Sequence, residues 1–231
     1  MTRIPNDVLA YFQKDVVDHR MTVIRDDGIY RHLQFKRPGQ GAYWFDLITW
    51  PGALCIDGDM GTYVFRRLED MFEFFRTDRE YLERKGIPLA INPGYWSEKL
   101  TATCRDGHEK FEPKVFRAKV KEVFDEWVES ERPDDDKPQA LREEFKTVQA
   151  ELWERLENDV LCCASDGDVR AYDAAREFRF DEDGWEFEMS DCWEWNCNQY
   201  TFHFVWCCYA IAWAIRHYDA SIAEVDMQVT S

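Results

Sequence analysis

Apolar positions along the chain change period several times, and each change marks an element. From Pro5 to Arg20 they recur at helical spacing, at Val8, Leu9, Phe12, Val16 and Val17, with Pro5 suited to a first turn. Met21 to Arg25 is β-rich, Asp26-Asp27-Gly28 is a turn signal, and Ile29 to Phe35 returns as the hairpin partner. Arg37-Pro38-Gly39-Gln40-Gly41 turns the chain before Tyr43 to Thr49, and Pro51-Gly52 turns it again before Ala53 to Asp57. Four short strands joined by tight turns predict an antiparallel meander with one face packed on helices. Leu68, Met71, Phe72 and Phe75 mark a short helix, with Phe74 off its stripe. Gly86-Ile87-Pro88 and Asn92-Pro93-Gly94-Tyr95-Trp96 read as loops whose aromatics are packed anchors.

Two amphipathic helices follow. Phe116, Val120, Val123, Phe124 and Trp127 share one face of the first, and Glu122, Asp125, Glu126 and Glu129 the other. Arg132-Pro133-Asp134-Asp135-Asp136-Lys137-Pro138 breaks the pattern and forms an exposed tip. Leu141, Phe145, Val148, Leu152 and Leu156 stripe the second helix, leaving Glu143, Glu144, Glu151, Glu154 and Glu157 outside. The pair predicts an antiparallel helical hairpin with two anionic outer faces. Asp166 to Glu177 reads as a further short helix, and Phe178 to Met189 as a half-buried hairpin around Asp183-Gly184. An apolar helix from about Phe202 to His217 comes last, with a frayed tail after Ala220. At about 16 residues, Tyr200 to Ile215 is short for a membrane span of about 20 and reads as a core helix.

Charge splits this picture in two. Residues 1–117 carry 18 acidic and 18 basic side chains, whereas residues 118–231 carry 28 acidic and 11 basic, so the whole net charge of −17 lies in the second part. The expected architecture is therefore α+β. An N-terminal helix and short antiparallel β-meander (residues 1–117) pack with an acidic, mostly helical half (residues 118–231) in one domain. With 45% hydrophobic residues the chain folds into a globule rather than remaining an acidic disordered tail. The opening residues show no basic cluster followed by an apolar run, so no secretion signal is expected. Eight cysteines, including adjacent Cys162-Cys163 and Cys207-Cys208, read as reduced thiols of a cytoplasmic protein.

Candidate chemistry is sparse. Asp57-Gly58-Asp59 after Leu54-Cys55-Ile56 resembles the aspartate pair of haloacid-dehalogenase-type phosphatases, where one carboxylate attacks phosphorus and both help hold magnesium. That family needs a parallel sheet, and the elements here read as hairpins, in which Asp-Gly is an ordinary turn pair. Cys192, Cys197, His203 and Cys207 lack the tight paired spacing of common zinc sites. No phosphate loop, serine elbow or His-Glu-x-x-His run is present, so no cofactor, metal or catalytic residue is assigned. Local basic pairs, Lys36-Arg37 and Arg66-Arg67, do not outweigh the acidic half, which repels nucleic acid and anionic membranes.

Regularly spaced carboxylates suit a different role, occupation of a basic nucleic-acid channel on another protein. Exposed acids on successive helical turns lie about 5–6 Å apart, comparable to backbone phosphates. The expected partner-binding set is Glu122, Asp125, Glu126, Glu129, Asp134, Asp135, Asp136, Glu143, Glu144, Glu151, Glu154 and Glu157, with Trp185, Trp193 and Trp195 as anchors. The alternatives are a small metal-dependent hydrolase using Asp57 and Asp59, and an assembly protein that forms homo-oligomers through its aromatic surface.

Trp50-Pro51-Gly52 and Gly58-Asp59-Met60-Gly61-Thr62-Tyr63, within Asp46 to Phe75, resemble uncharacterised proteins of bacteriophages and prophages. Asn92-Pro93-Gly94-Tyr95-Trp96 and Trp206-Cys207-Cys208-Tyr209 add to that resemblance. It implies a setting, the cytoplasm of a bacterial host during infection or lysogeny, and no activity. Together with the charge it points to an anti-defence inhibitor of a restriction or CRISPR complex.

Overall fold

A computed structural model of the chain describes residues 2–85 and 89–229. The loop expected at Gly86-Ile87-Pro88 lies outside them. The fold is α+β, with the antiparallel sheet near the N-terminus and mostly helices beyond it. Two compact units are present, Met1–Lys110 with Tyr200–Ser231, and Phe111–Gln199 inserted between them. Charge draws a seam at residue 117, whereas compactness draws seams at 110 and 199. They differ because the apolar helix after residue 200 belongs with the N-terminal sheet.

In the first unit, α1 (Val8–Asp15) is shorter than the apolar pattern from Pro5 to Arg20 suggests. It buries Val8 and Phe12, whereas Val17, beyond its end, is 74% exposed. Six strands follow in strict neighbour order: β1 (Arg20–Asp27), β2 (Tyr30–Lys36), β3 (Phe45–Trp50), β4 (Ala53–Gly58), β5 (Tyr63–Arg66) and β6 (Leu100–Thr103). The last two escape a pattern reading because each has four residues, and β6 buries none of them fully. Leu33 pairs with Leu47, Phe35 with Phe45 and Leu54 with Phe65, which places these side chains on one face. That face is the core side, and all six are buried.

Helix α2 (Met71–Glu83) buries Met71, Phe72, Phe74 and Phe75. Phe74 is thus a core residue rather than an off-stripe one, because it meets Phe75 at 4.9 Å and Tyr95 at 5.5 Å between ring centroids. The expected loop around Tyr95 is a short helix, α3 (Pro93–Ser97), capped by the Asn92 side chain, and its Trp96 is fully buried. Short strand β7 (Glu109–Phe111) leads to the insertion and β10 (Asn198–Tyr200) leads back. The last helix, α7 (Phe202–Val229), continues well past Ala220, where a frayed tail was expected. It buries Phe204, Val205, Trp206, Ile211 and Ile215, and the Trp206 indole donates to Asp15 at 3.0 Å.

One charge cluster is built into this core. Arg31, 8% exposed, donates to both oxygens of Asp70 at 3.0 and 2.9 Å. Its guanidinium lies 4.5 Å from the Phe72 ring centroid and 5.5 Å from that of Tyr218. Burial alone raises the Asp70 carboxyl, but the hydrogen bonds from Arg31 and from the Phe72 amide outweigh it and hold Asp70 below the usual carboxylate range.

The inserted unit is organised by α4 (Pro113–Glu131) and α5 (Gln139–Arg155). Trp127 near the end of α4 meets Phe145 near the start of α5 at 5.8 Å, and Arg117 pairs with Glu157 at 3.3 Å, so the hairpin is antiparallel. Phe116, Val120, Phe124, Phe145, Val148, Leu152 and Leu156 line its seam, while Val123, Trp127 and Leu141 are only half-buried. A π-turn (Leu156–Val160) and a 3-10 segment (Leu161–Asp166) lead into α6 (Asp168–Glu177). The hairpin β8 (Arg179–Glu182) and β9 (Trp185–Glu188) turns at Asp183-Gly184 and lays Trp185 5.0 Å from Phe145.

Candidate functional site

The insertion carries 26 acidic and 12 basic side chains, a net of −14, against 20 and 17, a net of −3, in the other unit. The excess charge is therefore a property of one 89-residue folding unit. All twelve acidic residues expected on its helical hairpin are exposed, those on the helices because the apolar stripes turn the opposite faces inward, and Asp134, Asp135 and Asp136 because they lie in the connector.

Their pairing divides them. Glu122 accepts from Lys119 at 2.7 Å, Glu143 from Lys146 at 3.0 Å, Glu151 from Arg155 at 2.8 Å and Glu157 from Arg117 at 3.3 Å, while Asp125 pairs with Lys121. These five are partly neutralised on their own helices or between them. Glu126, Glu129, Asp134, Asp135, Asp136, Glu144 and Glu154 have no side-chain partner among the described residues. All of these except Glu154 lie at the end of the hairpin formed by the last turns of α4, the connector and the start of α5. Arg132, Lys137 and Arg142 sit in the same stretch, so the tip is acidic in excess rather than uniformly.

This charge is poorly placed for the isolated helix. The last turn of α4 holds no basic residue, and Glu129 and Glu131 stand at its negative dipole end. Asp125 and Glu129 repel at i,i+4, as do Glu122 and Glu126. Each such term costs a few tenths of a kcal/mol in exposed helices. An external cation source would relieve them.

No protein-family profile, curated protein or solved structure matches this chain. The functional reading therefore rests on its own geometry.

The three expected aromatic anchors do not share a fate. Trp185 packs on Phe145, and Trp195 lies 6.1 Å from Phe116. Trp193 alone of the three is open, at 62% exposure. Its neighbours Asp191 and Glu194 are exposed acids outside the set drawn from the helices, since they lie in a loop with no helical period to single them out.

The aspartates of the hydrolase alternative have local structural work. Asp57 accepts from the Thr62 hydroxyl, and Asp59 accepts from the Tyr43 amide. They sit at the end of β4 in an antiparallel sheet, where the phosphatase arrangement needs a parallel one. Asp57 instead stands opposite Asp46 on β3, whose carboxylate contacts His32 at 2.8 Å. Among the described residues no three His, Cys, Asp or Glu side chains are grouped as a metal site needs.

Cys192 and Cys197 lie in the insertion, whereas His203 and Cys207 lie in the other unit. The Cys192 thiol points to the Tyr172 carbonyl at 3.8 Å and that of Cys207 to the Met60 carbonyl at 3.6 Å. Burial pushes the Cys207 and Cys208 thiols well above their ordinary values, and Cys55 is pushed up to about 11 by burial and the Asp57 charge. Thiols held protonated in this way are poor nucleophiles. No helix among the described residues is long and apolar enough to cross a membrane.

Proposed function

We propose that this protein is an acidic binding protein that occupies the basic nucleic-acid channel of another protein, and that it works without catalysis. In the setting its motifs imply, a bacterial cytoplasm during phage infection or lysogeny, the target is a nucleic-acid-handling defence complex such as a restriction or CRISPR effector. The observation that carries this reading is the net charge of −14 on a single insertion, with unpaired carboxylates collected at its hairpin tip.

Such a surface repels DNA and RNA and is attracted over several ångströms to a surface built to bind them. Complementary charge of this kind accelerates association and makes it steeply salt-dependent. The rigid helical hairpin presents the charges at fixed spacing, so little ordering entropy is lost on binding. The seven unpaired carboxylates matter most, because the five paired ones must first release an intramolecular cation.

The test is capture from nuclease-treated bacterial lysate containing defence systems, at low and at high salt. A nucleic-acid-binding protein should be held at low salt, released at high salt, and blocked from binding duplex DNA by the wild-type protein. The variant Glu126→Lys, Glu129→Lys, Asp135→Lys, Glu144→Lys should keep its circular dichroism spectrum and lose at least about tenfold in affinity. If that folded variant blocks DNA binding as well as the wild type, the electrostatic mechanism is wrong.

A further inference from the structure

Consecutive side chains on a helix point about 100° apart and do not normally meet. Cys162 and Cys163 do meet. Their sulfurs lie 3.7 Å apart in the 3-10 segment Leu161–Asp166, just after the π-turn Leu156–Val160. Each thiol is also turned toward the carbonyl four residues back, Asn158 for Cys162 and Asp159 for Cys163. Cys162 is exposed and Cys163 half-buried, and both are free thiols. The other adjacent pair, Cys207 and Cys208, is buried within α7.

Geometry decides what the exposed pair can hold. A disulfide would be strained, since a trans peptide fixes the two Cα atoms about 3.8 Å apart and disulfides span about 4.4–6.8 Å. With bonds of about 2.3 Å to sulfur, a linear two-coordinate ion needs its sulfurs about 4.6 Å apart, and a tetrahedral or pyramidal centre about 3.4–3.8 Å. The observed 3.7 Å fits the second class. A tetrahedral zinc ion needs further protein ligands, and among the described residues no third His, Cys, Asp or Glu is grouped with the pair. A trivalent, pyramidal centre needs only the two sulfurs and its own substituent. Cys163 lines a cavity of about 810 Å³ whose wall includes Val169, Ala174 and Phe178, which gives that substituent room. The arginines of the same cavity are engaged, Arg155 by Glu151 and Glu182, Arg170 by Asp166 and Arg179 by Glu188, so an anion finds no free partner there.

We infer that Cys162 and Cys163 form a dithiol capture site for a thiophilic trivalent metalloid, with an organic arsenic(III) oxide, R–As=O, as its representative ligand. Capture is a condensation. Two sulfur–arsenic bonds form, the arsenic–oxygen double bond breaks, and both thiol protons leave with the oxygen as one water. Arsenic stays trivalent, so no oxidant or reductant is needed. The site is independent of the function proposed above, and its failure leaves that reading untouched.

Intact-mass spectrometry of the full, reduced chain with one equivalent of phenylarsine oxide tests it. One adduct per native chain is expected, heavier by the reagent less one water, with two thiols lost to labelling. It should withstand about a hundredfold excess of the monothiol glutathione, because the second thiol of a linked pair acts at high effective concentration. The dithiol 2,3-dimercaptopropanol should remove it. Peptide mapping should place the bridge on Cys162 and Cys163. Cys162→Ser and Cys163→Ser should each lose the glutathione-resistant adduct, whereas Cys55→Ser should keep it, with circular dichroism checking the fold of every variant. The site is overturned by the absence of an adduct, by one that glutathione strips, by one that survives in both serine variants, or by one that maps to Cys104 and Cys207. Zinc retained by the pair against EDTA overturns the choice of a trivalent centre.

Discussion

Replacing Asp70 with alanine probes the Arg31–Asp70 ion pair, more deeply buried than Arg76–Asp219 in the same unit. The change leaves the Arg31 guanidinium between Phe72 and Tyr218 with neither of its two carboxylate acceptors. Removing one partner of a buried ion pair typically costs about 3–5 kcal/mol. The Arg31 and Asp70 side chains are 9% and 20% exposed, so some water reaches the pair and the lower end applies. Asp70 also accepts from the Phe72 amide at 2.9 Å at the start of α2, a cap worth about 1 kcal/mol. The expected loss is about 4 kcal/mol, which lowers the melting temperature by roughly 8–16 °C for a domain of this size.

Differential scanning calorimetry on the wild type, Asp70→Ala and Asp70→Asn reads it directly. The asparagine variant keeps the cap acceptor and loses only the charge, so it should fall between the other two. Adding Arg31→Met to Asp70→Ala should recover part of the loss, because an apolar side chain needs no partner there. A loss below about 1 kcal/mol for Asp70→Ala would refute the reasoning, since the guanidinium would then have found another acceptor. The pH dependence has a definite sign. Asp70 titrates lower when folded than when unfolded, so its contribution is present above the unfolded value of about 3.9 and is lost as pH falls through the folded value.

Two further outcomes follow from close packing. A Cβ on Gly58 would sit 2.2 Å from the Trp44 carbonyl oxygen and 2.8 Å from the Phe45 Cα, so Gly58→Ala should force β3 and β4 apart and cost about 2–3 kcal/mol in urea unfolding; a loss within about 0.5 kcal/mol contradicts that packing. In thiol labelling followed by mass spectrometry, exposed Cys162 should react in the native protein and buried Cys207 and Cys208 only after unfolding. The Cys162 thiol is raised by its hydrogen bond with Cys163, 3.7 Å away, so its labelling should be slow at neutral pH and speed up through the alkaline range. Equal rates for Cys162 and Cys207 would show that α7 is not packed as described.

Periodicity made the long elements legible. The α4–α5 hairpin, its apolar seam and its exposed acids could be read directly, because an amphipathic helix writes its faces into every turn. So could the first four strands, whose Pro-Gly and Asp-Gly turns punctuate the pattern. Strand β6 could not, since Leu100–Thr103 lies on the far side of α2 and α3 and pairs with β5 only through tertiary structure. The membership of α7 in the sheet unit was also invisible. Its apolar surface runs nearly all round and does not say which partner it covers. At the candidate site, the spacing gave the acids but not which of them pair, because Arg117–Glu157 joins residues 40 apart in sequence, one on α4 and one on the turn after α5. Trp185, Trp193 and Trp195 look alike as letters, and only packing against Phe145 and Phe116 separates the half-buried Trp185 and Trp195 from the open Trp193.

The placement of α7 has a consequence for the order in which the protein can be made. The sheet's core face, with Phe35, Phe45, Leu47 and Phe65, is completed by a helix translated after the entire insertion. The insertion holds its own core and can fold while α7 is still being synthesised. Those 28 residues take roughly 1–6 s at ordinary translation rates of about 5–20 residues per second. For that interval an unfinished apolar sheet shares its chain with a finished domain of net charge −14. Mutual repulsion between such nascent chains on neighbouring ribosomes opposes their sticking together, so the same carboxylates that suit a basic partner also protect the sheet until its last helix arrives.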